Sequence, residues 1–164
     1  MVLLLSDLQV GLRTRTFNTD EFRNRMDRLT DAVMRLHEIH SSDRKINTLY
    51  IAAGGDFVEG EPCNRRVNLA EMDADNRIVV DLLAQKRLTA DECVKMIKRL
   101  SEKFSRVHFV GVGGNHGLNR DKTASKRSND DIEVYYTISD RLSGNYKVTF
   151  EIDPNSFYRV FDVC

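Results

Sequence analysis

The chain has 164 residues, in which 25 Lys and Arg balance 25 Asp and Glu, so its formal net charge is zero. A hydrophobic content of 41% and a charged content of 30% are typical of a globular domain with a single core. The net charge therefore favours no particular partner. Any affinity for nucleic acid would have to come from a local basic patch. Apolar stretches fall short of the roughly 18 residues of a membrane span, so we expect no membrane partner.

Three cysteines, Cys63, Cys93 and Cys164, form an odd count without a CxxC spacing. This count argues against a disulfide framework and favours a reducing compartment. The N-terminus also lacks the basic region and cleavage pattern of a signal peptide. We therefore expect a cytoplasmic protein, with Cys93 in the core of a helix.

The N-terminal third of the chain alternates strand and helix patterns. Val2–Leu5 is a continuous apolar run that predicts a strand. Asn18 and Glu21 form a capping box that predicts the start of a helix. Its apolar positions follow at three- and four-residue spacing: Phe22, Met26, Leu29, Val33 and Leu36. Thr48–Ala53 predicts the second strand.

The middle of the chain predicts two helices and a third strand. An irregular apolar cluster indicates a helix over about residues 75–85. Thr89 and Glu92 repeat the capping-box pattern and predict a separate helix through Phe104. The apolar run 107–112 then predicts the third strand, which five residues rich in glycine follow.

The remainder of the chain predicts a polar, basic loop over 118–129 and a helix over 130–142 capped by Asn129. Segments 147–152 and 157–163 predict a hairpin around the turn 153–156. Continuous apolar runs bounded by glycine are typical of parallel strands buried on both faces. The sequence therefore predicts one α/β domain over residues 1–164, with a mostly parallel sheet flanked by helices.

Each of the three predicted parallel strands is followed by a side chain with an oxygen ligand. Asp7, Asp56 and Asn115 stand just beyond the strand ends, and Gln9 and His116 lie close by. The carboxyl ends of parallel strands open onto one edge of a sheet, where ligands bind. Carboxylate and amide oxygens suit Mg2+ and Mn2+, and Mn2+ also accepts imidazole. The alternative is that these residues cap the elements that follow them.

The segments "SDLQVG", "GGDFVEG" and "GGNHG" resemble the first three motifs of the calcineurin-like metallophosphoesterases, in the family's order. The family pattern is Asp-x-His, Gly-Asp-x-x-(Asp/Glu) and Gly-Asn-His-(Asp/Glu). The sequence is most similar to the branch of DNA-repair exonucleases and their phage relatives, over the first 120 residues. The resemblance implies a metal-dependent phosphoesterase that uses two divalent cations, with Mn2+ favoured over Mg2+.

The resemblance also implies a role for each matching residue. Asp7 would bind the first metal together with Gln9, which stands where the family has a histidine ligand. Asp56 would bridge both metals, each oxygen serving one ion, and Asn115 would bind the second metal. His116 would stabilise the transition state or protonate the leaving oxygen. A water between cations about 3.5–4 Å apart would attack phosphorus in line.

Three departures from the family pattern leave alternatives open. Gln9 replaces a histidine, and Gly117 replaces the acidic residue after the Asn-His pair. The family's later His and Gly-His-x-His motifs have no counterpart, because no histidine follows His116. We therefore expect a partial domain in which the C-terminal half of the family's double sheet is incomplete. The alternatives to an active enzyme are a binding or scaffold protein, and an enzyme completed by a second chain or by self-association.

Basic residues in the predicted loops suggest the substrate. They are Arg13, Arg15, Arg65, Arg66, Arg120, Lys122, Lys126 and Arg127. We expect Arg13, Arg120 and Lys122 to contact a nucleic-acid backbone, which favours a phosphodiester over a small phosphomonoester. The alternative is that these loops are simply solvated and charged. Glu59 likewise has two interpretations, a support for the site through a hydrogen bond or a solvated loop acid.

Overall fold

The computed structural model describes residues 1–60, 77–78, 81–118 and 128–163, and only the backbone at 77–78. The elements in chain order are β1 Val2–Leu5, β2 Leu12–Arg13, α1 Thr19–Ser41, β3 Thr48–Ala53, β4 Arg77–Ile78, α2 Leu82–Lys103, β5 Arg106–Val112, α3 Asp130–Arg141 and β6 Val148–Asp153. In these ranges no helix has the length and apolar character needed to cross a bilayer.

Four parallel strands form the main sheet in the order β1-β3-β5-β6. Leu4 pairs with Ala52, Ala52 with Val110, and Val112 with Asp153, so the carboxyl ends of all four strands meet at one edge. The predicted α/β class with a mainly parallel sheet is confirmed. A separate two-stranded antiparallel sheet pairs β2 with β4.

All three helices lie on one face of the main sheet. The strand order β1-β3-β5-β6 means that each connection moves across the sheet in the same direction. Connections between parallel strands are right-handed, so all the connecting helices lie on the same side of the sheet. The fully buried side chains of Leu49, Ile51 and Phe109 form the sheet side of the core. Ile97 and Leu100 of α2 are equally buried in the same cluster. The core is thus a single layer between sheet and helices.

The predicted caps of two helices are confirmed. The Asn18 side chain accepts hydrogen bonds from the N–H groups of Asp20 and Glu21, at 3.0 and 2.9 Å. Asn129 caps α3 by accepting from the N–H of Asp131 at 2.9 Å. Cys93 is fully buried as expected, and burial raises the pKa of its thiol to about 12, so it is an inert core residue.

The sequence predicted two separate helices, one over about residues 75–85 and one that begins at Thr89. This division is wrong. Helix α2 is continuous from Leu82, and its cap is Asp81, whose side chain accepts from the N–H of Ala84 at 2.9 Å. Thr89 lies inside the helix, where its hydroxyl donates to the Gln85 carbonyl at 2.7 Å. A threonine satisfied by the preceding turn has the same spacing to Glu92 as a capping threonine, so the pattern misleads.

The predicted C-terminal hairpin is also wrong. Its first segment forms β6, but β6 runs parallel to β5, because α3 returns the chain to the starting end of the sheet. Residues 157–163 form no strand and run instead across the outer face of the sheet. Phe161 stacks on Tyr50 with ring centroids 5.8 Å apart, and Arg159 forms an ion pair with Glu151.

The outer face of the sheet departs from the predicted burial on both faces. Val2 and Leu4 of β1 are 50% and 73% exposed, whereas Leu5 on the inner face is 3% exposed. Within the described residues, segment 157–163 is the cover of this face, and its own Val160 is 84% exposed. Parallel sheets are normally covered on both sides, and the exposed Val2 and Leu4 leave part of this face open.

Substitution of the adjacent Leu4 and Leu5 tests whether the core lies on the inner face of the sheet alone. Leu5→Ala should lower the free energy of unfolding by about 2–5 kcal/mol, because it leaves a cavity under the helices. Leu4→Ala, the matched control on the outer face, should cost less than about 0.5 kcal/mol. Urea denaturation measures both values. Equal losses would mean that the outer face is covered as well as the inner one.

Candidate metal centre

The loops after β1 and β3 run side by side and bring three predicted ligands together. The N–H of Asp7 donates to the Gly55 carbonyl at 3.1 Å, and the N–H of Gln9 donates to the Asp56 carbonyl at 2.9 Å. A further bond joins the N–H of Val10 to the Phe57 carbonyl at 3.0 Å. The parallel pairing of the strands therefore continues past their ends, and Asp7, Gln9 and Asp56 share one edge.

Asp7, Gln9 and Asp56 also share an uncommon backbone conformation. Their φ angles are +55°, +44° and +54°, and within the described ranges they are the non-glycine residues with positive φ. This region costs a non-glycine residue about 1–2 kcal/mol. Strained residues cluster at functional sites, where the surrounding structure holds them in place. The three strained positions coincide with predicted metal ligands.

The loop after β5 closes against the loop after β3. The N–H of His116 donates to Oδ1 of Asp56 at 2.8 Å, and Asn115 lies exposed beside it. A Cβ atom on Gly55 would overlap the amide nitrogen of Gly114, and one on Gly114 would overlap the Asp56 carboxylate. The paired glycines of these motifs are therefore required for close approach of the loops.

Asp131, which the sequence analysis did not single out, holds the loops together. Its fully buried carboxylate accepts four backbone hydrogen bonds. Oδ2 accepts from the N–H groups of Asp56 and Gly114 at 3.0 and 2.9 Å. Oδ1 accepts from those of Phe57 and Val58 at 2.9 and 3.3 Å. One side chain at the start of α3 thus fixes the loops after both β3 and β5.

Two opposing effects act on the Asp131 carboxyl group. Burial raises its pKa above the usual value, and the four backbone N–H donors oppose that rise because they stabilise the ionised form. The sequence signal for Asp131 was weak, since an acid in the first turn of a helix is common without any partner. Its partners lie 17 to 75 residues away along the chain.

Glu59 lies beneath His116, so the interpretation as a solvated loop acid is wrong. Its side chain is fully buried, and Oε2 is 3.3 Å from Nδ1 of His116. The next residue, Gly60, is fixed by Gln85, whose amide accepts from its N–H at 3.0 Å and donates to its carbonyl at 3.3 Å. A carboxylate at Nδ1 fixes the orientation of an imidazole and the role of its other nitrogen.

The predicted ligand set has the chemistry that a hard divalent cation requires. Asp7 and Asp56 supply carboxylates, and Gln9 and Asn115 supply amide oxygens. Oδ2 of Asp56 is not used by the His116 N–H, so this carboxylate keeps capacity for a ligand. Across the described residues no three His, Cys, Asp or Glu side chains converge as a metal site. Of the four predicted ligands, Asp7 and Asp56 are carboxylates and the other two are amides.

The predicted substrate contacts are described in part. Arg13 is exposed on β2, where it pairs in register with Arg77 of β4. Arg120 and Lys122 lie outside the described residues. Four further basic positions do as well: Arg65, Arg66, Lys126 and Arg127. Cys63 and Cys164 also lie outside them. The basic rim therefore stays a prediction.

Comparisons with protein-family models, curated proteins and solved structures gave no match to this chain. The likeness to metallophosphoesterases thus depends on the three sequence motifs alone.

Asp131→Asn should destabilise the domain by about 3 kcal/mol, because an amide NH2 would face two of the backbone N–H donors and leave them unpaired. The matched control is Asp130→Asn. Asp130 is ion-paired to Lys86 at 3.1 Å, and its substitution should cost about 1 kcal/mol or less. Urea denaturation compares the two variants, and equal losses would contradict the clamping role of Asp131.

Proposed function

We propose that this domain is a metal-dependent phosphoesterase whose substrate is a phosphodiester in nucleic acid. The observation that carries the proposal is the coincidence of strain and ligand chemistry at one edge of the sheet. Asp7, Gln9 and Asp56 have positive φ, and they are the positions that the motif resemblance assigns to metal ligands. Residues held in this conformation cluster at ligand-binding sites, where the surrounding structure fixes them.

The predicted metal ligands would form a site that is already arranged before substrate binds. Two divalent cations bound to Asp7, Gln9, Asp56 and Asn115 would supply a hydroxide-like nucleophile and neutralise charge on the phosphoryl oxygens. The chain itself keeps Asp56 in place through the His116 N–H and through Asp131. Such fixed ligands need little reorganisation when substrate binds.

His116 has the geometry of a proton donor to a leaving oxygen. Its ring is 19% exposed, so one side reaches the solvent-facing edge of the sheet while Nδ1 faces the buried Glu59. The Glu59 carboxylate, 3.3 Å from Nδ1, orients the imidazole ring. General acid catalysis by His116 would require Nε2 to donate its proton to the leaving oxygen.

Asp56→Asn should reduce Mn2+-dependent hydrolysis of bis(p-nitrophenyl) phosphate to background, because one carboxylate shared by both metals is lost. The fold should stay intact, since an amide oxygen can still accept from the His116 N–H. A colorimetric assay and a thermal melt test both statements. Asp43→Asn, which changes an exposed acid after α1, is the control and should keep full activity. Full activity in Asp56→Asn would overturn the assignment.

Glu59→Gln should lower kcat about 10–100-fold and leave KM nearly unchanged, because Glu59 orients His116 and does not bind substrate. Glu133→Gln replaces an exposed acid on α3 and should change neither constant. Steady-state kinetics on the same diester separates the two parameters. An unchanged kcat in Glu59→Gln would remove Glu59 from the mechanism.

A second candidate function is a binding or scaffold domain, or one that needs a second chain to supply histidine ligands. Two observations favour it: Gln9 is a weaker ligand than the histidine it replaces, and Val2 and Leu4 on the outer face of the sheet are 50% and 73% exposed. Mn2+ calorimetry distinguishes the candidates. No heat at millimolar Mn2+ would favour the scaffold, whereas binding by the isolated chain would favour the enzyme.

A further inference from the structure

A cavity lies beside the candidate metal centre, at the carboxyl edge of the sheet between β5 and β6. Its volume is about 280 Å3. Gly113 and Leu118 contribute from the loop after β5, Asn129 and Ile132 from the start of α3, and the turn after β6 closes the far side. This volume is near the lower limit for small-molecule sites, so the cavity suits one planar ring system.

The walls of the cavity are mainly apolar, with amides among them. Leu118, Ile132, Pro154 and Phe157 supply apolar surface, and Asn155 brings an amide group to the lining. Phe157 is 65% exposed, so one aromatic ring at this cavity remains largely in water. An exposed aromatic face beside an apolar slot is suited to stacking on a flat heteroaromatic ring.

The cavity and the candidate metal centre share one loop. Gly113 lines the cavity, and its neighbour Gly114 lies against the Asp56 carboxylate, so the turn after β5 borders both sites. Asn129 fixes that turn by donating to the Gly114 carbonyl at 2.8 Å. A substrate that occupies both sites would consist of a ring and a phosphoester joined by a linker, such as a sugar.

We propose that this cavity binds the nucleobase of the nucleotide whose phosphate lies at the metal centre. The proposal rests on the proposed phosphoesterase function and specifies its substrate as a nucleotide unit. Phe157 is the stacking wall, and Ile132 and Leu118 are the apolar sides. Bases in single strands are recognised in this way, by stacking and by a few amide contacts.

The test measures binding without metal and without hydrolysis. Wild-type protein is titrated with 5′-AMP and with ribose 5-phosphate, which has the same sugar phosphate and no base, and backbone amide chemical shifts are followed. The proposal predicts saturable shifts at Leu118, Ile132 and Asn155 with 5′-AMP and none there with ribose 5-phosphate. Phe157→Ala should weaken 5′-AMP binding at least about fivefold, the lower end for the loss of one base stack.

The neighbouring aromatic residue provides the matched control. Tyr158 is 76% exposed and does not line the cavity, so Tyr158→Ala should bind 5′-AMP as the wild type does. Equal binding of 5′-AMP and ribose 5-phosphate, or equal weakening by both variants, would overturn the proposal. Tetra-adenylate that binds more tightly than 5′-AMP would identify a strand as the source of the base, and equal affinity would identify a free nucleotide.

The two proposals can fail separately. Mn2+-dependent hydrolysis of bis(p-nitrophenyl) phosphate without base-dependent shifts at Leu118 and Ile132 would retain the phosphoesterase and remove the base site. Base-dependent shifts that need Phe157, in a protein without metal-dependent hydrolysis, would retain a nucleotide-binding site and remove the phosphoesterase.

Discussion

The arrangement of the candidate site depends on one buried carboxylate. Asp131 accepts four backbone hydrogen bonds from two different loops, and it does so from the first turn of α3. An ionised group in the core is costly unless its hydrogen-bonding capacity is filled. The backbone donors fill that capacity here, and in return the loops after β3 and β5 are held close to each other. The strained conformation of Asp56 depends on this contact.

The topology of the sheet explains why the site lies where it does. Every strand points the same way, so the loops that follow β1, β3 and β5 reach the same edge. The same topology puts α1, α2 and α3 on one side and leaves the outer face to segment 157–163. Tyr50 of β3 stacks on both His108 and Phe161, and the second contact attaches the segment to the sheet. The domain therefore combines a hydrogen-bonded edge with an outer face on which Val2 and Leu4 remain exposed.

Local patterns in the sequence predicted most of the fold. The three apolar runs became strands because short continuous apolar runs bounded by glycine suit a parallel sheet. Asn18 and Asn129 became caps because a short amide side chain satisfies free N–H groups. Thr89 misled because one spacing fits two roles. The parallel entry of β6 was not predictable from the segment itself, since the direction of a strand is set by the crossover that precedes it.

The site was predictable to the extent that its residues are adjacent to strand ends. Asp7, Gln9, Asp56 and His116 were found in this way, and the structure brings their loops together. Asp131 and the buried state of Glu59 were not found, because each depends on contacts between segments that are distant along the chain. The residues near Asp131 in the sequence form no pattern that predicts its hydrogen bonds to four backbone N–H groups.

The central claim is that three loops at the edge of this sheet form a divalent metal site. Crystals of the chain soaked in millimolar Mn2+ and measured at a wavelength with strong manganese anomalous scattering test it most directly. The account predicts anomalous density between the carboxylates of Asp7 and Asp56, within ligand distance of Gln9 or Asn115. Manganese density elsewhere with none at this edge, or no manganese density at all, would contradict it.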